Sequence, residues 1–210
     1  MNASTIPARA LSCSPRANGN SDKLAALFAR GFAEAGGNIE VTLMRQYEVR
    51  PCVSCYRCQH DPNGWCFLEG TDRSAPLFSM LHEAPALFFA APVFFYHLPA
   101  MFKAFIDRGQ SYWLRREAGD PRLLSLPRRT AWVALVAGRK KGEHIFDGSL
   151  LTLRYFLAAF NITLAEPLLL AGYDGPDDIA NDPATCARVL EYGGNAARAM
   201  FDGQAMAVNQ

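Results

Sequence analysis

Along the chain, short apolar runs alternate with stretches whose apolar residues recur three and four positions apart. "ARALSCS" (8–14) reads as a short strand ending in a Pro-Arg-Ala-Asn-Gly turn. From Ser21 onward, Leu24, Leu27, Phe28 and Phe32 mark one face of a helix that Gly36-Gly37 ends. "NIEVTLM" (38–44) sets Ile39, Val41 and Leu43 against polar neighbours, the period of a half-buried strand. A cysteine-rich stretch, 51–66, then interrupts the alternation. Thr71-Asp72 offers a cap for a helix to about Glu83. "ALFFAAPVFF" (86–95) is a wholly apolar strand, and Pro99 opens a helix through Arg108 with Phe102, Phe105 and Ile106 on one face. The polar, proline-bearing stretch 117–129 predicts a surface loop. "TAWVALVA" (130–137) predicts a buried strand, "SLLTLRYFLAAF" (149–160) a helix, "ITLAEPLLLAG" (162–172) a strand, and Pro183 to about Met200 a closing helix.

Five strands with helices between them predict a parallel sheet covered on both faces, a three-layer α/β sandwich. No repeat, low-complexity segment or linker interrupts it, so residues 1–210 are expected to form one domain. In a five-stranded sheet of order 2-1-3-4-5, a ligand binds at the carboxyl ends of strands one and three, where the order reverses.

Composition narrows the classes. Half the 210 residues are hydrophobic, enough for a substantial core. The net charge is +1 with no run of one sign, so neither nucleic acid nor a membrane surface is expected as partner. The apolar run at 86–95 is too short to span a bilayer and is broken by Pro92. "MNASTIPARALSCS" has no basic region leading into an apolar one, so no signal peptide is expected. A cytoplasmic location follows as the expectation, with thiols kept reduced; a disulfide framework and a glycosylated Asn161 are then poor readings.

Two loops fall where the sheet would bind a ligand. The first, "SCSPRANGNSDKL", offers hydroxyls at Ser12, Ser14 and Ser21, amides at Asn18 and Asn20, a cation at Arg16 and a flexible Gly19, and runs straight into a helix. Short polar groups before a helix N-terminus suit a phosphate monoester, although Ser and Asn also serve in ordinary capped turns. No Gly-Lys-Ser/Thr follows and no G-x-G-x-x-G is present, which argues against a nucleoside triphosphate and a dinucleotide at this turn. The second, "APVFFYHLPAMFKAFIDR", brackets Phe94, Phe95, Tyr96 and His97 between Pro92 and Pro99. Aromatics past a strand end suit a flat ring, whereas Phe102 and Phe105 at helical spacing read as core. His97 could serve a substrate or simply be exposed.

The cysteine stretch, "PCVSCYRCQHDPNGWC", sets Cys52, Cys55 and Cys58 at a spacing of three, with Cys66 after seven intervening residues, Gln59 to Trp65. The run suits a four-iron cubane, whose corners three closely spaced thiolates can wrap. Zinc more often takes two separated C-x2-C pairs, and an empty thiol loop is the third reading. Cys13 and Cys186 read as small buried residues.

"CSPRANGNSDKL", the cysteine run and "APVFFYHLPAMFKAFIDR" together resemble the flavodoxin-like NAD(P)H-dependent FMN reductase family, and specifically its iron–sulfur flavoproteins. The resemblance runs from about Leu11 to Gly142, with Cys13 where members usually have Gly and Phe94 where Tyr is frequent. It implies that Ser14, Arg16, Asn18, Gly19, Asn20 and Ser21 hold an FMN phosphate. It implies that Pro92, Val93, Phe94 and Phe95 line the isoalloxazine and that the "AGRKKG" turn closes a third side near Gly138. That turn departs most from the family, and its Arg139, Lys140 and Lys141 could meet an NADPH phosphate or stand as solvated charges. The resemblance further implies a [4Fe–4S] cluster on Cys52, Cys55, Cys58 and Cys66. The expected protein is an FMN oxidoreductase fed by NAD(P)H or ferredoxin, acting on a small-molecule acceptor, without a catalytic acid or base. The cysteine loop follows strand two, away from its own subunit's flavin crevice, so a homodimer or homotetramer is expected. The alternative of another class is a non-catalytic binding module with a structural zinc.

Overall fold

The computed structural model describes residues 6–208, and side chains as far as residue 203. Residues 1–5, the start of the segment read above for a signal peptide, and residues 209–210 lie outside the described residues.

Six strands form one sheet: β1 (Ala8–Ser12), β2 (Ile39–Leu43), β3 (Ala86–Pro92), β4 (Arg129–Ala137), β5 (Ile162–Leu164) and β6 (Leu168–Ala171). The order is β2-β1-β3-β4-β5, all pairs are parallel, and β6 also pairs with β4. This is the flavodoxin-like order expected from the sequence. The single strand expected over 162–172 is two short ones. β5 pairs with the start of β4 and β6 with its end. Pro167 between them has no N–H to give the ladder, so the edge strand breaks there.

The helices are α1 (Asn20–Glu34), α2 (Arg57–His60), α3 (Ala75–Glu83), α4 (Ala100–Arg108), α5 (Gln110–Glu117), α6 (Pro121–Leu124), α7 (Asp147–Ala158) and α8 (Pro183–Val208). None is long and apolar enough to cross a membrane among the described residues. Alternation along β3 divides the core. Leu87, Phe89 and Ala91 face the cluster built with α3, α4, α5 and α7, while Ala86, Phe88 and Ala90 face the cluster of α1 and α8. Phe28 of α1 stacks on Phe88 with ring centroids 3.9 Å apart.

Several local expectations are corrected. The stretch 117–129 holds α6, and its Leu123 is fully buried beneath it. α5 escaped the periodic reading because its helical run is short and crowded with charge, "QSYWLRRE". β3 ends at Pro92, so Phe94 and Phe95 stand beyond the strand. Val41 is exposed on edge strand β2, where Thr42 turns inward instead. Cys13 is buried as expected, but Cys186 is partly exposed and donates to the Ile179 carbonyl.

Candidate functional site

One candidate site lies at the carboxyl end of the sheet and a second in the long loop that follows β2. The first is a crevice between the loops after β1 and β3, with a cavity of about 130 Å³. Ser14, Arg16, Gly19, Asn20 and Ser21 line it from the β1 side, and Pro92, Val93 and Phe94 from the β3 side. Val136, Gly138, Tyr173 and Asp174 close it. Nine of the eleven crevice residues expected from the sequence are therefore together. Asn18 stands outside the lining and donates its peptide N–H to Asp22. Phe95 also stands outside and is fully exposed.

The loop after β1 is held by Asp22 and Arg45, which the sequence reading did not single out. Asp22 accepts from the Ser12 hydroxyl, from the Asn18 peptide at 2.8 Å, and from both Arg45 Nη atoms at 2.8 Å. Burial alone would raise the Asp22 carboxyl, but the Arg45, Ser12 and Asn18 hydrogen bonds outweigh it and hold it below its ordinary value. Asn20 was expected to hold phosphate with its side chain. Instead its Nδ2 donates to the Gly175 carbonyl at 2.8 Å and its Oδ1 accepts from the Ile179 peptide at 3.1 Å. It pins the 174–179 loop to α1. What remains for an anion is the Ser14 and Ser21 hydroxyls, the Arg16 charge, and the first peptide N–H groups of α1, whose N-cap Gly19 brings no side chain to them. That donor set fits a phosphate monoester. A cavity this small is below the usual size of a cofactor pocket, so a flat ring would lie outside it, against the Phe94 face.

Beyond β3 the chain makes a two-residue hairpin. Phe94 and His97 exchange peptide hydrogen bonds at 2.8 and 3.0 Å, and Phe95 and Tyr96 both take left-handed φ, 49° and 64°. Two aromatic residues in that conformation are strained, and the contacts around them hold the turn. His97 Nδ1 accepts from the Leu98 peptide at 2.9 Å, leaving Nε2 to meet Thr152 Oγ1 at 3.1 Å. The histidine thus fastens the hairpin to α7. Arg139 donates to the Tyr96 hydroxyl at 2.8 Å and lies over its ring. A Cβ on Gly138 would lie 2.6 Å from Asp174 Oδ1, so a larger residue there would have to turn that exposed side chain aside.

The second site is the cysteine loop. Cys52, Cys55, Cys58 and Cys66 line one pocket of about 400 Å³, closed by Phe67, Leu68, Asp107, Gln110 and Leu114. All are free thiols. Burial raises the Cys58 thiol above its ordinary value, and the nearby Cys66, Cys52 and Cys55 groups add to this. Among the described residues no three His, Cys, Asp or Glu side chains converge on one point as a metal ion would need. This qualifies the ligand set expected from the sequence: the thiols are spread around the pocket wall. A cubane offers each thiolate its own iron, so its ligands are also spread. Ser54 and Tyr56, on either side of Cys55, have left-handed φ of 52° and 58°. Four thiols around one pocket are a donor set that fits a cluster.

A family model described as NADPH-dependent FMN reductase matches residues 8–162. An iron–sulfur flavoprotein of Methanosarcina thermophila is 29% identical over 107 residues, 51% of this chain and 53% of that protein. One of Methanocaldococcus jannaschii is 27% identical over 114 residues, 52% of this chain and 56% of that protein. The chain thus matches these relatives over about half their length. A solved flavone reductase superposes with a TM-score of 0.67 at 17% identity, covering 95% of this chain and 64% of the other, a likeness of fold.

Proposed function

The chain belongs to the NADPH-dependent FMN reductase family, and from that premise we propose an FMN-dependent oxidoreductase that takes electrons from NAD(P)H or ferredoxin and passes them to a small-molecule acceptor. A [4Fe–4S] cluster on Cys52, Cys55, Cys58 and Cys66 is the second centre of the proposal. The observation that supports the reading is the crevice at the β1/β3 switch point, where Ser14, Ser21, Arg16 and the start of α1 face Pro92, Val93 and Phe94. Bound FMN would supply a ring that takes up an electron pair and gives it up singly, and a cluster would store single electrons. The chain's own part is binding and orientation. Ser14, Ser21, Arg16 and the α1 N-terminus hold the phosphate, Pro92, Val93 and Phe94 shelter a ring face, and His97 and Arg139 stiffen the hairpin that carries Phe94.

Purified protein should bind FMN and not FAD. Ser14→Leu, which fills the crevice without touching the Asp22 or Asn20 contacts, should weaken FMN at least tenfold, about 1.4 kcal/mol. Native affinity in that variant removes the phosphate assignment. Anaerobic reconstitution should yield roughly four iron and four sulfide per chain, the stoichiometry of a thiolate-held cubane. If the native chain takes up no more iron than Cys55→Ala, the cluster is absent and FMN reduction by NAD(P)H is the whole function; a colourless, zinc-loaded protein would instead favour the binding-module reading.

The proposal includes a homodimer or homotetramer. A groove of about 470 Å³ between α4, α5 and α7 is lined by Trp113, Leu151, Tyr155 and Phe156, and shares Asp107 and Gln110 with the cysteine pocket. Leu151 and Tyr155 are more than half exposed on it. A second subunit seated there would cover this apolar face and approach the thiols.

A further inference from the structure

The segment that carries the thiols leaves the body of the protein at Arg50 and returns at Asp72, and those two residues meet. Asp72 Oδ2 accepts from the Arg50 peptide N–H at 2.9 Å. Arg108, at the end of α4, donates through Nη1 to that same oxygen at 2.5 Å and to the Arg50 carbonyl at 3.2 Å. One guanidinium therefore grips the exit and the re-entry of the loop at once. The other carboxylate oxygen accepts from the Ser74 peptide at 3.0 Å and its hydroxyl at 2.6 Å, which seats the first turn of α3. Arg108 Nη2 also reaches Ser74 Oγ at 3.3 Å. Below this point Arg73 continues the seam, its peptide to the Glu48 carbonyl at 2.9 Å and its Nη1 to the Gln46 carbonyl at 3.0 Å. The Arg108 and Asp72 side chains are 1% and 0% exposed.

Stability alone does not account for this pair. A buried ion pair gains little over well-packed apolar residues of the same volume. Arg108 Nε is buried without a hydrogen-bond partner among the described residues, a further cost. What the pair supplies is geometry. The loop it closes is anchored in its second half, where Leu68 is buried and Glu69 accepts from Tyr112, but its first half has little packing: Cys52, Cys55, Val53 and Tyr56 are exposed, and Ser54 and Tyr56 hold unfavourable φ values. Ordering such a loop is costly in entropy, and clamping its ends removes the loop-closure part of that cost before any ligand arrives.

We propose that Asp72 and Arg108 are positioning residues of the thiol site: their contacts with Arg50 clasp the ends of residues 51–71 and keep the four thiols around the one pocket that an iron–sulfur cluster would occupy. The inference rests on the cluster reading above, but the clasp itself is testable without metal. The loop contains peptide hydrogen bonds that report its order, Glu69 to the Cys66 carbonyl and Thr71 to the Leu68 carbonyl. In the metal-free full chain, hydrogen exchange over 51–71 should accelerate at least tenfold in the double variant Asp72→Asn/Arg108→Met, which leaves no lone buried charge. Peptides from β3 and α1 should exchange as in the native chain, and FMN affinity should stay within twofold. Ser74→Ala, which removes one contact to each partner, should speed loop exchange about threefold and serves if the double variant does not fold. In reconstituted protein, iron loss to a chelator should be at least tenfold faster in the double variant. Loop exchange unchanged in the folded variants overturns the proposal, and so does equal acceleration of loop and core. A native chain that takes up no iron defeats the cluster reading, while the exchange measurement still decides the clasp.

Discussion

His82 stands in the last turn of α3 with its ring centroid 5.3 Å from those of both Tyr112 and Phe160. Burial, and then the charges of Arg115 and Arg129, push its pKa down to about 4. The unfolded chain takes that proton near pH 6.5 and the native state only near 4, so between those values the unfolded state binds more protons and stability rises with pH. Lowering the pH from 7 to 5 should therefore cost on the order of 1–2 kcal/mol, read as a fall in the urea midpoint, and His82→Gln should flatten that fall. A slope unchanged in the variant assigns the effect to carboxylates. The same scale shows where single residues were legible. Ser14 and Ser21 were found because short hydroxyls before a helix are a local signature. Asp22 and Arg45 were not, because nothing near Asp22 in the chain announces a partner 23 positions away. Tyr173 and Asp174 were reachable: they follow β6, and the rule that ligands gather at carboxyl ends of strands applies to the last strand as well.

α1 and α8 approach each other through two glycines. A Cβ on Gly193 would lie 2.2 Å from the Phe28 carbonyl oxygen, and one on Gly31 would lie 2.0 Å from the Leu190 carbonyl oxygen. Both obstacles are backbone, so a helix must shift. Gly→Ala in a helix interior ordinarily gains up to about 1 kcal/mol of propensity. Here overpacking of about 1–3 kcal/mol should outweigh it. Gly193→Ala is expected to lower the urea midpoint, and a stabilised variant would mean the helices separate easily. α1 was legible because one buried face repeats along it, and β4 because burial on both faces makes it a continuous apolar run. The break between β5 and β6 is carried by Pro167, whose apolar flanks, Ile162–Ala165 and Leu168–Ala171 but for Thr163, read together as one strand.

Over the whole molecule, the exposed apolar residues of the α4–α7 groove and the thiol pocket form one continuous face through Asp107 and Gln110. On the proposed assembly, Leu151→Asp and Tyr155→Asp together should convert the oligomer to a monomer in sedimentation velocity. FMN binding should persist, since the crevice lies at the β1/β3 end and includes neither residue. A native chain that sediments as a monomer removes the assembly from the proposal.

The sequence by itself determined the strands and helices of strong period and the loops that line the candidate crevice, because hydrophobic period and turn residues are properties of a short window, while the strand order was implied by the family resemblance. It also determined which thiols could act together, because their spacing is local. Only the tertiary structure decided what each polar side chain does. Asn20 turned to Gly175, 155 positions away, and Asp72, offered by the sequence as a helix cap, was drawn to Arg108, 36 positions away. Those contacts are set by how layers stack and where loops return, and a buried polar group takes whichever partner that stacking brings within reach.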